Sequence, residues 1–449
     1  MHSLGAAEAL RSATKLVRWL EDTSAYQALA RGRTRRHGRL LLRDEVLFFD
    51  TEKHRPRVLH LRRRDLGLDV NVGARDWPGI NAFFTALARG ASKTELRALA
   101  PELTETLISA KWLERFEPPP PAVTPGVTFV GHNTALVCSK TTRVLVDPYF
   151  RPASMFDLPT YQPMQPRDLG PVDAVLITHS HGDHFHLGSL LQLDRETRIF
   201  VPPVERESLF STDCARRLQQ LGFTRVEALP WYGTRMVGDL KLQALPFYGE
   251  QPTSGEGVYP GLFNVGSTWA VRGPGVSCAF FADSGHDVRG SMREVCRAID
   301  SVEILFCGVR GFRVKPIFFS FTTLDAFLVN VPSSELTQPQ QLMADAAEAL
   351  EYGKLLKARF VVPCADGGAP WYWREGMGPK YPGYPGTPVE GASTHDENDD
   401  ADPYPERLGD VAKRGAPRAL LLRPGEHWSG TVTRTAPFTW PGWTRSSHR

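Results

Sequence analysis

The segment Thr178–His186, with the sequence THSHGDHFH, holds the side chains of the 449-residue chain that are best suited to chemistry. In an extended segment alternate side chains point to the same side, so its first two histidines can bind one metal ion together. Gly182 permits a tight loop, after which the aspartate and the third histidine can hold a second ion about 3.5–4 Å from the first. The segment therefore predicts a two-metal site. Its ligands are His179, His181, Asp183 and His184.

Short strands must position this loop. The segment Ala174–Thr178 leads directly into it and is almost entirely apolar, as expected of a strand buried on both faces. A helix is predicted over Pro339–Lys357, where the proline suits the first helical position. Strands and helices in this order favour an α/β fold with two sheets sandwiched between helices. Further strands are predicted at Val127–Val130, Ala135–Ser139, Arg143–Val146, Arg198–Val201, Lys241–Leu245, Thr268–Val271, Ser277–Ala282, Val302–Cys307 and Phe360–Val362.

Residues 1–117 differ from the rest and are predicted to form a small α+β, winged-helix-like N-terminal domain for docking or dimerisation. Two β-prone runs around a polar turn predict a hairpin over Arg39–Asp50. The proline-rich residues 118–125 predict a stiff linker. The catalytic domain is expected over residues 126–449, with a disordered acidic loop near 391–410. Helical spacing in the first region is found at Gly79–Arg89, Lys93–Ala100 and Leu103–Phe116.

Composition excludes several classes of protein. The formal net charge of +3 gives no support for a nucleic-acid partner, and no apolar run is long enough to span a bilayer. The six cysteines are scattered without a CxxC pair, which argues against a zinc finger or a disulfide scaffold and fits a reducing compartment. The N-terminus lacks the pattern of a signal peptide. We therefore expect a cytoplasmic enzyme without a nucleic-acid or membrane partner.

The HxHxDH pattern of residues 179–184 resembles that of the metallo-β-lactamase superfamily. The segments VGHNTALV, from Val130, and LVDPYF, from Leu145, are similar to the opening hairpins of that fold, so the resemblance covers residues from about 126 to 430. It implies an αββα sandwich with His132 and Asp147 beneath the metal loop. Asp147 is expected either to accept the second ring N–H of a ligating histidine or simply to begin a turn with the following proline.

The resemblance also implies further ligands, and here the chain departs from the family's hydrolases. Their third histidine should follow the strand near Leu245, but no histidine occurs between His186 and His286, and Glu250 is the available ligand. In AFFADSG, Asp283 fits the bridging aspartate, with His286 expected beside the metals or facing the substrate.

The last family ligand, a histidine, should follow the strand that ends in VVPCADGG. Asp366 is the preferred replacement there and Cys364 is the competitor, because a thiolate is also a competent ligand.

The inferred ligand set holds three imidazoles and four carboxylates, where a dizinc hydrolase of the family has five imidazoles and two carboxylates. Carboxylates are hard anionic donors that suit iron and oxygen chemistry, whereas imidazole-rich sites suit Zn²⁺ and a bound hydroxide. The set therefore favours two iron ions, with Glu250 and Asp283 as catalytic residues, and zinc as the alternative. It consists of His179, His181, Asp183, His184, Glu250, Asp283 and Asp366.

A glutamate in place of the third histidine resembles the nonheme diiron monooxygenases of natural-product biosynthesis, the CmlA-type hydroxylases and a diterpenoid-pathway enzyme. This implies hydroxylation of a C–H bond with O₂ in a hydrophobic or thioester-tethered antibiotic intermediate. A separate reductase is expected because no flavin or iron–sulfur motif is found. The alternative is a dinuclear zinc hydrolase of a lactone, thioester or phosphodiester. The sequence leaves open whether the substrate is free or linked to a carrier protein or coenzyme A, and whether the protein forms a homodimer.

Aromatic residues follow the ligand positions in two later segments. They are expected either to line a substrate pocket that excludes water or to form a satellite hydrophobic cluster under a long loop. The residues are Phe318, Phe319, Phe321, Trp371 and Trp373.

Overall fold

The computed structural model describes residues 58–63, 66–71, 77–88, 90–110, 113, 124–150, 164, 166–205, 207, 212–248, 266–286, 291–309, 311, 313–314, 340–341, 343–365, 408–412, 417–422 and 424–434. The predicted hairpin Arg39–Asp50, the acidic loop near 391–410 and most of the proline-rich stretch lie outside these residues.

Nineteen strands and nine helices are found within the described residues. The strands are β1 Val58–Arg63, β2 Leu66–Asn71, β3 Gly126–Gly131, β4 Thr134–Cys138, β5 Arg143–Val146, β6 Ala174–Leu176, β7 Arg198–Val201, β8 Val226–Ala228, β9 Thr234–Val237, β10 Leu240–Pro246, β11 Ser267–Gly273, β12 Val276–Phe280, β13 Ile304–Cys307, β14 Arg313–Val314, β15 Gln340–Gln341, β16 Phe360–Pro363, β17 Arg418–Ala419, β18 Glu426–Trp428 and β19 Val432–Arg434. The helices are α1 Trp77–Ala88, α2 Lys93–Leu99, α3 Pro101–Ser109, α4 Pro166–Leu169, α5 Leu187–Leu190, α6 Cys214–Gln220, α7 Ser291–Ala298, α8 Ala346–Leu355 and α9 Leu408–Ala412.

Two mixed sheets form the centre of the fold. One has eight strands in the order β19-β18-β3-β4-β5-β6-β7-β8, and the other has seven in the order β17-β16-β13-β12-β11-β10-β9. Within each sheet an antiparallel part, β3 to β5 or β9 to β12, continues into parallel strands, β5 to β8 or β12 to β17. The carboxyl ends of the parallel strands therefore form an edge at which loops can gather functional side chains.

The seven-stranded sheet divides its side chains between two hydrophobic clusters. In β12, Cys278 and Phe280 face the larger cluster, which they share with the other sheet, whereas Ala279 faces a second cluster with helices α7 and α8. Such alternation is what the two-residue period of a strand produces when both faces are buried. The buried Trp269 ties the sheets together, because its Nε1 donates to the carbonyl of Ile177 at 3.0 Å. The predicted α/β sandwich is confirmed.

Helices α1 to α3 pack against the eight-stranded sheet side of this core. Phe83 and Leu103 belong to the same cluster as Val127 of β3. The buried guanidinium of Arg195 lies 5.7 Å from the ring centroid of Phe84 in α1 and 4.5 Å from that of Phe223, a cation–π arrangement. The helices predicted for the N-terminal region therefore share a core with the sheets.

The predicted helix Pro339–Lys357 is wrong at its start. Helix α8 begins at Ala346, because Asp345 accepts from the backbone N–H of Glu348 and the glutamate reaches back to the N-cap backbone, a capping box that fixes the first turn. The preceding Gln340 and Gln341 instead pair with β14. None of the described helices is long and apolar enough to cross a membrane.

Candidate metal centre

The histidine loop lies where the carboxyl ends of β5 and β6 meet the second sheet. Asp147 follows β5, and Thr178 and His179 follow β6. The backbone N–H of Ser267 in β11 donates to the Thr178 carbonyl at 2.7 Å, and His179 forms an isolated β-bridge with Gly266. These bonds connect the loop directly to the seven-stranded sheet.

The first donor group consists of His179, His181 and Asp283, each of which offers a ligand atom within 4.8 Å of the others. Asp283 comes from the loop after β12, so the group joins both sheets. The His179 side chain is fully buried, and its Nε2 lies 3.7 Å from Asp283 Oδ2. The ring of Phe247, with its centroid 5.1 Å from that of His179, forms an apolar wall beside the group.

The second donor group consists of His132, Asp183 and His184, whose ligand atoms also lie within 4.8 Å of one another. His132 Nε2 is 3.2 Å from Asp183 Oδ2. His184 Nε2 is 3.3 Å from Oδ1 of Asp283, the oxygen that does not face His179. The carboxylate of Asp283 therefore presents one oxygen to each group, as a ligand bridging two ions would.

Asp147 is the buried anchor behind the second group. Its Oδ2 lies 2.7 Å from His184 Nδ1, and the side-chain amide of Asn133 donates to the same oxygen at 2.6 Å. The backbone N–H of Thr178 donates to Oδ1 at 2.7 Å. The sequence offered either a histidine contact or a simple turn, and the contact is present. It leaves His184 Nε2 directed towards the second group.

Thr178 gives His179 an indirect link to the same anchor. Its hydroxyl donates to Asp147 Oδ2 at 2.5 Å and lies 3.0 Å from His179 Nδ1. Because an Asp147 carboxylate can only accept, the hydroxyl proton points towards it and an oxygen lone pair is left for the N–H of His179. Both histidines are thereby oriented with Nε2 towards the donor groups.

Burial and neighbouring charges shift the pKa values of the centre in opposite directions. Burial, followed by the nearby ring of His184, lowers the pKa of His179 well below its ordinary value. Burial also opposes a charge on His184, but the carboxylates of Asp283 and Asp183 outweigh it and raise the pKa of His184 well above its ordinary value. Burial would raise the pKa of Asp183, yet His184 and the hydrogen-bonded His132 hold it far below the ordinary value. The carboxylates of Asp183 and Asp283 therefore stabilise a positive charge placed between them.

Metal ions fit this arrangement. His184 Nε2 and Asp283 Oδ1 are buried, and neither makes a hydrogen bond of good geometry with the described residues although they lie 3.3 Å apart. Buried polar atoms in such a position are normally satisfied, and a cation between them would satisfy both. Imidazole and carboxylate donors together suit Fe²⁺ and Zn²⁺.

Strained backbone is concentrated at this edge of the sheets. Of the six non-glycine residues with positive φ in the described part of the chain, four lie in the loops around the donor groups. Such conformations persist where the surroundings hold them in place, and they cluster at functional sites. The four are His132 at 53°, Asp147 at 37°, Ala282 at 51° and Ala365 at 58°.

Two predicted ligands, Glu250 and Asp366, lie outside the described residues, as do the predicted pocket residues Phe318, Phe319, Phe321, Trp371 and Trp373. Cys364, the competitor of Asp366, is buried in the larger hydrophobic cluster and belongs to neither donor group. His286, predicted beside the metals or facing the substrate, directs Nδ1 to Glu348 of α8 at 3.1 Å.

Sequence reasoning placed His132 beneath the metal loop, whereas its ring nitrogen is grouped with Asp183 and His184. It also missed Asn133 and Thr178 as partners of Asp147. Two polar neighbours of candidate ligands could have indicated these partners. They are the asparagine directly after His132 and the threonine directly before His179. His186, the last residue of the loop, caps α5 by accepting from the Ser189 N–H at 3.1 Å.

Known proteins similar to this chain include both hydroxylases and hydrolases. Over 190 residues, 41% of this chain and 33% of the relative, it is 29% identical to the 4-amino-L-phenylalanyl-(CmlP-peptidyl-carrier-protein) 3-hydroxylase of Streptomyces venezuelae. Over 81 residues, 18% of this chain and 31% of the relative, it is 32% identical to a metal-dependent hydrolase of Thermus thermophilus. The crystal structure of CmlA, a diiron beta-hydroxylase from Streptomyces venezuelae, has 24% sequence identity and a TM-score of 0.48, covering 67% of this chain and 55% of that chain.

The matched stretches span about a third of the length of these two curated relatives. Residues 142–363 match the family model of the beta-lactamase superfamily domain. That range runs from β5 to β16 and includes the histidine loop and Asp283. Residues 142–363 are therefore a domain of the beta-lactamase superfamily, with the metallo-β-lactamase fold.

Proposed function

We propose that the protein is a nonheme diiron monooxygenase that hydroxylates a C–H bond of a natural-product intermediate. The proposal rests on the segment that follows β10, which packs beside the loop that contains Asp283. There the Tyr248 N–H donates to Ser284 Oγ at 2.9 Å and the Tyr248 carbonyl accepts from Gly285 N–H at 2.8 Å, beside Asp283. Glu250 follows two residues later, in a stretch of sequence without any histidine from 187 to 285. The ligand that we propose from this segment is therefore a carboxylate, that of Glu250.

Two iron ions bound by the donor groups would supply O₂ activation. One oxygen atom enters the C–H bond and the other leaves as water, which requires two electrons and two protons. We propose a separate reductase as the electron source. In this scheme Asp283 bridges the two groups, Asp147 and Thr178 hold the histidine rings in position, and Phe247 helps to exclude bulk water.

The proposed substrate is either a hydrophobic natural-product intermediate or one tethered as a thioester to a carrier protein or coenzyme A. The support is the similarity to the Streptomyces venezuelae hydroxylase, whose name describes an aminoacyl group on a peptidyl carrier protein. The matched stretch covers 33% of that relative.

A dinuclear zinc hydrolase is the second candidate. It is favoured by the similarity to the metal-dependent hydrolase of Thermus thermophilus, which is 32% identical over 81 residues. In that case a metal-bound hydroxide would attack a lactone, thioester or phosphodiester.

Metal analysis of anaerobically purified protein, with its absorption spectrum after oxidation, distinguishes the two candidates. We expect about two iron ions per chain and near-ultraviolet to visible absorption, since an oxo-bridged diferric centre absorbs there and a dizinc centre does not. Hydroxylation of a carrier-bound aminoacyl probe should require O₂ and reductant. Two zinc ions with hydrolytic turnover in the absence of reductant would overturn the oxygenase proposal.

Variants of Glu250 test the ligand that the proposal requires. Glu250→Ala should abolish turnover and weaken iron loading, whereas Glu250→His should shift the preference of the centre towards zinc. Glu294→Ala, on the exposed face of α7, is the matched control and should retain iron and activity. Full activity in Glu250→Ala would remove this residue from the centre.

A further inference from the structure

The turn between β3 and β4 contains an unusual residue. Gly131 pairs with Thr134, so His132 and Asn133 form a two-residue hairpin turn, and His132 has a φ of 53°. The first position of such a turn with positive φ normally holds glycine, which adopts this conformation without steric cost. A histidine there carries backbone strain, and because such strain clusters at functional sites it points to a role for the side chain.

The surroundings of His132 fix both its backbone and its ring. Its carbonyl accepts from the Ala365 N–H at 3.0 Å, at the end of β16. The side chain is 3% exposed, and Nε2 lies 3.2 Å from Asp183 Oδ2. The ring centroid is 5.0 Å from that of His184 and 5.6 Å from that of Tyr149, so aromatic neighbours hold the ring at the donor group.

We propose that His132 is a direct ligand of the second metal ion, through Nε2, together with Asp183, His184 and the bridging Asp283. The hairpin turn brings the imidazole of His132 to Asp183 and His184. The bond from the Ala365 N–H holds the segment that follows β16 against the turn. This inference depends on the metal centre and not on the reaction proposed for it.

The rival role for His132 is to donate a hydrogen bond that positions Asp183. Two variants separate the roles. His132→Gln places an amide N–H near the position of Nε2, so it can serve the positioning role but is a poor ligand. His132→Gly removes both roles and relieves the backbone.

The experiment is titration of metal-free full-length protein with Co²⁺, followed by calorimetry and by the visible ligand-field spectrum. The wild type should bind two ions. Both variants should bind the second ion more than about 100-fold more weakly, with the loss of one spectral component, because removal of a ligand should cost more than the 10–100-fold typical of its outer partners. Added imidazole should restore the second ion in His132→Gly, where the ring has left a space.

Lys357→Gly is the matched control. Lys357 has a φ of 52° and is exposed just after α8, so glycine there should also relieve strain. We expect Lys357→Gly to bind both ions as the wild type does, and only His132→Gly to lose the second ion. Wild-type affinity and spectrum in His132→Gln would overturn the inference, whereas a wild-type protein that binds no metal would overturn the metal centre itself.

Discussion

The two donor groups differ in how the protein holds their histidines. In the second group His184 contacts the buried carboxylate of Asp147 directly, at 2.7 Å. In the first group His179 reaches that carboxylate only through the hydroxyl of Thr178, which lies 3.0 Å from its Nδ1. One ring is therefore supported by a negative charge and the other by a neutral hydroxyl.

This difference has a consequence for affinity. A carboxylate behind a ligating histidine raises its basicity and strengthens the metal bond, which a hydroxyl does less effectively. We therefore expect the second group to bind its ion more tightly than the first. Asp283 opposes this asymmetry, because it arrives from the other sheet and presents one oxygen to each group.

Replacement of Asp283 should have the largest effect, because it removes a donor from both groups at once. We expect Asp283→Ala to weaken each of the two binding steps by more than about 100-fold. Elemental analysis and Zn²⁺ titration of the metal-free protein measure this loss. Asp300→Ala, an exposed aspartate after α7, is the control and should bind two ions normally. Independent loss of only one ion in Asp283→Ala would contradict the bridging arrangement.

Replacement of Asp147 should separate the two groups. In Asp147→Asn the charge behind His184 disappears, so the second ion should bind about 10–100-fold more weakly and the first ion much less so. Competition with a chelator of known affinity resolves the two steps. Asp173→Asn is the control, because this exposed residue accepts from the Arg143 N–H at the opposite end of β5. Equal weakening of both steps would mean that Asp147 acts on the whole centre rather than on His184.

Replacement of Thr178 tests the indirect link. Thr178→Val keeps the shape but removes the hydroxyl between Asp147 and His179, so the first ion should bind about 10-fold more weakly. Thr178→Ser retains the hydroxyl and should keep wild-type affinity. The same chelator competition reads out both variants. If the valine variant matched the serine variant, the hydroxyl would have no part in orienting His179.

The sequence predicted those parts of the centre that depend on local pattern. Strand β5 is found at the predicted residues Arg143–Val146, because a strand buried on both faces leaves a short, mostly apolar run as its signal. The loop that follows β6 carries its four candidate ligands within six positions, so their proximity needs no tertiary information. Asp283 was recognisable because it follows a buried strand, and parallel strands bring their carboxyl ends to one edge.

Contacts made between distant parts of the chain were not predictable in the same way. His132 meets Asp183 because the hairpin of β3 and β4 folds onto the loop, a packing event that no periodicity encodes. Thr128 contacts His427 across 299 positions of sequence, and strand β18, which brings the two together, was not predicted. The start of α8 was missed because a side-chain cap at Asp345 outweighed the preference of proline for a first turn.

Replacement of Cys364 should have the smallest effect on metal binding. This variant tests whether a thiolate belongs to the second donor group. Its backbone N–H donates to the Cys307 carbonyl at 3.1 Å, and the residue is 1% exposed within the larger hydrophobic cluster. Cys364→Ala should therefore lower the free energy of unfolding by about 1 kcal/mol, through loss of buried contacts, and leave both metal steps unchanged. Asp366→Ala should instead weaken the binding of the ion in the second donor group. Urea denaturation and Zn²⁺ titration of the two variants make the comparison, and loss of one ion from Cys364→Ala would assign that corner of the centre to sulfur.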